Sequence, residues 1–115
     1  MALLATHASR LHLFLFIHFL SLQGYRGKVS LHDASGNGYP AIVILLLAAG
    51  ANVDKQHDTG DTPLILAAKW GKIEVVKELL KAGANKKLKR NDGQTAYDMA
   101  DKDYGSMEEI KALLR

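Results

Sequence analysis

The chain has 115 residues, 48% of them hydrophobic and 23% charged, which suits one small folded domain and argues against wholesale disorder. The formal net charge of +3, with an isoelectric point near 9.2, is too weak to imply nucleic acid on its own. There is no cysteine, which excludes disulfides, thiolate zinc sites and a cysteine nucleophile and fits a reducing compartment.

Residues 1–26 form an apolar N-terminal segment. Leu11 to Leu20 is apolar except for His12 and His18. A membrane span needs about 20 apolar residues, so the run is too short to cross a bilayer. It has the length of a signal-peptide core. However, only Arg10 supplies a lysine or arginine ahead of it, and no small-x-small cleavage site follows, which disfavours a secretory signal.

From residue 27 to the end, a shift of 33 residues brings the chain into register with itself. Leu31, Ala34, Gly38 and Gly27 meet Leu64, Ala67, Gly71 and Gly60. Leu46-Leu47 and Gly50-Ala51-Asn52 meet Leu79-Leu80 and Gly83-Ala84-Asn85. Gly60, Thr62 and Ala67 meet Gly93, Thr95 and Ala100. Self-similarity at this period is the signature of a repeat architecture. The repeats fall at about 27–59, 60–92 and 93–115.

In the first repeat Pro40 opens a second helix. Ala41, Ile44, Leu45 and Ala48 occupy the places held one repeat later by Glu74, Lys77, Glu78 and Lys81. A helix apolar on every side implies burial against something, and the neighbouring apolar run, residues 11 to 22, is the nearest candidate. The alternative is a non-native start that leaves a sticky surface, with self-association as one consequence.

The middle repeat is the most regular. Thr62 is an N-cap candidate and Pro63 suits the first turn of a helix, where its missing N–H costs nothing. Leu64, Ala67 and Ala68 have the helical spacing and small size of a closely packed inner helix. Gly71 separates it from a second helix, Ile73 to Lys81, with Ile73, Val76, Leu79 and Leu80 on the buried face and Glu74–Lys77 and Glu78–Lys81 on the solvent side. Gly83 can take the positive φ common past a helix end, and Asn85 to Gly93 then makes a projecting turn.

The third repeat replaces Pro63 by Ala96 and Leu64 by Tyr97, and one extra residue before Gly105 moves Met107, Ile110, Leu113 and Leu114 to a spacing of 34. Atypical terminal repeats commonly cap such stacks.

Thr62-Pro63-Leu64, then Ala67-Ala68, Gly71, Val75-Val76, Leu79-Leu80 and Gly83-Ala84-Asn85 resemble the ankyrin repeat over residues 27 to 115. The tetratricopeptide period is close, but that pattern lacks the Thr-Pro-Leu element. The resemblance implies an all-α solenoid of stacked helix-turn-helix units with β-turn fingers. It also implies a non-enzymatic module that binds a protein partner through its concave finger and inner-helix surface.

By the same resemblance the contact positions are Gln56, Asp58, Thr59, Asp61, Lys69 and Trp70 in the middle repeat. In the third they are Lys89, Asn91, Asp92, Gln94, Asp101 and Lys102, and in the first they include Lys28, Gly36 and Asn37. Trp70, the single tryptophan, is the preferred anchor, since tryptophans are enriched at binding hot spots; the competing reading packs its ring over the neighbouring repeat.

No catalytic, cofactor or metal constellation appears. His7, His12, His18, His32 and His57 show no metal-ligand spacing. His32 sits at the fourth place of the Thr-Pro-Leu-His element, where the resemblance implies local hydrogen bonding. The run Lys86-Lys87-Leu88-Lys89-Arg90 reads foremost as a solvated turn, ahead of a steering patch or an import signal. Nucleic acid is disfavoured for want of an aromatic platform. No small-molecule substrate is expected, a membrane is not the favoured partner, and the expected location is the cytoplasm, with the nucleus second. Two good repeats and a weaker one predict marginal stability, with melting at or below roughly 65 °C.

Overall fold

A computed structural model describes residues 31–100 and 107–115. The expected N-terminal segment 1–26 and the first residues of the repeat domain lie outside the described residues. Among these the regular structure is all helical: α1 Leu31–Asn37, α2 Pro40–Ala48, α3 Pro63–Lys69, α4 Ile73–Lys81, α5 Ala96–Met99 and α6 Met107–Leu114.

The helices form two rows. α1, α3 and α5 pack in sequence as an inner row, and α2, α4 and α6 as an outer row, with each inner helix joined to the outer helix that follows it. The inner helices are short and carry small residues where the rows meet. Ala34, Ala67, Ala68, Ala96 and Ala100 are all buried, and their size lets neighbouring helices approach closely. Leu31, Leu64, Val43, Val76, Leu46, Leu79, Ile110 and Leu114 complete a continuous core.

Local chemistry sets the helix ends. Thr62 is extended, and its Oγ1 accepts from Ile65 N at 3.1 Å, which satisfies one orphan donor of α3 while Pro63 needs none. Thr95 and Asp98 form a reciprocal capping box on α5. The Thr95 backbone N–H, then its hydroxyl, bond the Asp98 carboxylate and hold its pKa below the usual value. At the other end of α4, Gly83 has φ +87°, Gly83 N donates to Leu80 O and Ala84 N to Leu79 O, both at 3.0 Å. The same bonds recur 33 residues earlier, from Gly50 N to Leu47 O and from Ala51 N to Leu46 O.

The buried face of α4 differs in detail from the expected one. Val76 and Leu79 are buried, but Ile73 and Leu80 are only half-buried, and Val75 is buried as well. A helix inside a stack has neighbours on more than one side, so its apolar stripe is wider than a helix pair alone requires. The first repeat is intact: α1 and α2 form and pack on α3 and α4.

Candidate partner-binding surface

Two projecting turns link the layers. In the first, His57 N donates to Asp61 O at 3.0 Å and Gly60 N to His57 O at 2.8 Å. In the second, Arg90 N donates to Gln94 O at 2.8 Å and Gly93 N to Arg90 O at 2.9 Å. The turns are joined side by side. Asn91 N donates to Thr59 O at 2.9 Å, the Asn91 side-chain amide to Asp58 O, and Gln56 Nε2 to Lys89 O and Gly60 O at 3.0 Å each. Gly60 is required here: its φ is +86°, and a Cβ would stand 2.6 Å from Asn91 N.

Beneath the turns lies an ion pair. Asp61 is only 7% exposed. Its Oδ1 is 3.1 Å from Arg90 Nε, close in charge but off the hydrogen-bond direction, and its Oδ2 accepts from Thr59 Oγ1 at 2.8 Å. Asp61 was expected on the contact surface; the fold places it inside, holding one turn to the next. Arg90 also lies 3.2 Å from Met99 Sδ and 3.8 Å from Asp92. The basic run is therefore not five free side chains: Arg90 is committed, Leu88 is half-buried and Lys86 Nζ donates to Arg115 O at 2.7 Å.

His32 has the local role its position implied. It is buried, and its Nε2 contacts Lys55 O at 2.8 Å and Asp61 O at 3.1 Å. Two carbonyl partners require that nitrogen to carry the proton. The His57 ring packs against it with centroids 3.4 Å apart. Burial first, then the neighbouring His57, lower the His32 pKa from 6.5 to about 4.

The inner row carries a depression. An open groove of about 540 Å³ is lined by His32, Asp33, Gly36, Asn37, Leu66, Trp70 and Lys72. Trp70 caps the C-terminus of α3 and is 41% exposed. Its ring runs beside Gly36, where an added methyl would meet Trp70 Cδ1 at 3.6 Å, an ordinary contact. Lys69 Nζ stands 5.2 Å from the ring centroid, within cation–π range. One edge of the Trp70 ring thus rests on the first repeat, as the packing reading expects, and the remainder faces solvent.

Of the sequence-derived contact residues, the groove gathers Gly36, Asn37 and Trp70, with Lys69 at its edge. Asp58, Thr59, Lys89 and Asp92 are exposed on the turns, and Gln94 is half-buried with bonds to Asp92. Gln56 and Asn91 are exposed but spend their side-chain amides between the turns. Lys28, Asp101 and Lys102 lie outside the described residues. Asp33, Leu66 and Lys72 were not anticipated. The period was the available signal, since Asn37 and Trp70 are 33 apart and so are Asp33 and Leu66. Among the described residues no group of three or more His, Cys, Asp and Glu could hold a metal ion.

Helix pairs joined by short turns and stacked in two rows define a repeat solenoid, in which each unit contacts only its neighbours. A family profile described as "Ankyrin repeats (3 copies)" matches residues 31–115, and the chain belongs to this family. Similar curated proteins include protein phosphatase 1 regulatory subunit 12A of Mus musculus, 38% identical over 86 residues, covering 74% of this chain and 8% of that protein. The target of rapamycin complex 2 subunit AVO2 of Saccharomyces cerevisiae is 31% identical over 112 residues, covering 96% of this chain and 24% of that protein. Protein phosphatase 1 regulatory subunit 27 of Homo sapiens is 31% identical over 84 residues, covering 73% of this chain and 54% of that protein. The chain thus spans at most about half the length of these relatives.

Proposed function

We propose that the chain is a non-catalytic protein-binding module that seats its partner on the inner-helix face, centred on the Trp70 groove. The observation that carries this reading is the groove's composition. Leu66 and the exposed Trp70 supply apolar surface, while Asp33, Asn37 and Lys72 supply a polar rim. An apolar centre inside a polar edge is the anatomy of a binding hot spot. The groove is open, which suits side chains of a macromolecule better than an enclosed small substrate. Turn-to-turn bonds fix the neighbouring surface in advance, which lowers the ordering cost of association.

His32 is the titratable ring nearest the groove, but its Nε2 is turned onto two carbonyls. The similar regulatory and complex subunits support an adaptor role. We place the module in the cytoplasm, in keeping with its lack of cysteine; imaging a tagged chain separates this from the nucleus.

Affinity capture tests the proposal, using the tagged full chain, Trp70→Ala and an outer-row control, Glu78→Ala. Trp70→Ala should weaken capture of the specific partner by about 30-fold, corresponding to about 2 kcal/mol, with the control unchanged. Undiminished capture by a folded Trp70→Ala chain contradicts the reading.

A further inference from the structure

We propose that residues 11–22 of this chain, which lie outside the described residues, cover the free flank of α2 and close the N-terminal end of the stack.

The repeat itself shows which side of α2 needs covering. Lys77 Nζ of α4 and Glu109 Oε1 of α6 are 3.9 Å apart, so the place held by Glu109 faces the preceding outer helix. With the spacing of 34 in the third repeat, Glu109 stands where Val75 stands in α4, and Ile42 stands there in α2. Val75, with α2 packed before it, is 1% exposed, whereas Ile42 is 45% exposed. Ile42 therefore points toward the side a preceding layer would occupy. Tyr39, Ile44 and Leu45 are exposed beside it, at the places of Lys72, Lys77 and Glu78 one repeat later. Helix α2 carries no charge at any of its nine positions. Contiguous exposed apolar residues of this kind mark a contact surface.

Four observations select the occupant. Leu11 to Leu20 is apolar apart from His12 and His18, and so matches the surface in character. Ten residues span about 15 Å even when helical, against about 13.5 Å for the nine of α2, so the run is long enough to cover that helix. The eight residues from Gln23 to Ser30 can extend about 26 Å, ample to return from α1 to any point of α2. Finally, the match to the yeast complex subunit covers 96% of this chain and so takes in most of residues 1–30 together with the repeat domain. A tethered segment acts at an effective concentration near the millimolar range, which favours it over a second copy of the chain.

The absence of native cysteine makes the test direct. Ile42→Cys is combined in the full chain with a cysteine at each of Leu13, Phe14, Leu15 and Phe16, one turn's worth of positions. A pairing of Phe16→Cys with Glu108→Cys, at the far end of the stack, serves as control. Single-cysteine chains are melted to confirm folding. Under mild oxidation at least one test pair should close an intrachain disulfide about fivefold or more faster than the control, as expected for a locally concentrated segment. Disulfides formed only between chains would assign the surface to a second copy and overturn the proposal. So would rates equal to the control at all four positions.

Discussion

The first and middle layers follow one plan with different surface chemistry. Outer helices α2 and α4 are both nine residues long, end in the same pair of backbone bonds and bury the counterparts Val43 and Val76, Leu46 and Leu79. Yet α4 shows solvent Glu74, Lys77, Glu78 and Lys81, and α2 shows Ala41, Ile44, Leu45 and Ala48. The inner helices differ too. His32, bonded to the carbonyls of Lys55 in its own repeat and Asp61 in the next, stands where α3 has the buried Ile65. Inward positions thus set the fold, and outward ones record what each layer meets.

The largest effect should separate the layers by core substitution. Leu79→Ala removes a fully buried side chain flanked by layers on both sides and should cost about 2–5 kcal/mol. Leu46→Ala, in the terminal layer, should cost less; equal losses in denaturant titrations would break the comparison. Next is pH. His32 is held neutral in the fold, so the unfolded chain takes the proton first as pH falls below 6.5. Stability should be level above 6.5, decline as pH falls toward about 4 and gain no further loss from His32 below that. The total is on the order of 3 kcal/mol. His32→Leu, which gives the first layer the apolar character of Ile65, should flatten that part of the curve; an unchanged slope would assign it elsewhere. The smallest effect lies in the middle layer, where Thr62→Ala should cost about 1 kcal/mol by removing the N-cap of α3, visible as a lower melting temperature.

Most of the architecture could be read from spacing. The period placed α3 and α4 within a residue of their observed ends, because Thr62, Pro63, Gly71 and Gly83 act locally. The burial of Val75 could not be read that way, since it depends on the layer before it. Asp61 looked like a turn residue open to a partner, but its carboxylate meets Arg90, 29 positions on, and no local pattern announces that pair. Gln56 and Asn91 occupy the expected surface, yet their amides bond across turns at the repeat interval itself. The groove was half legible: Trp70 and Asn37 stood out, while Leu66 and Lys72 join them only once α1 and α3 lie side by side.

The claim that the inner-helix face receives the partner is tested most directly by site-specific photo-crosslinking. A photoreactive residue is placed in turn at Asn37, on the groove, and at Lys81, on the outer row of the same stack. Asn37 should yield a discrete crosslinked partner that Trp70→Ala abolishes, and Lys81 should not. A partner captured equally from both positions, or from Lys81 alone, would contradict it.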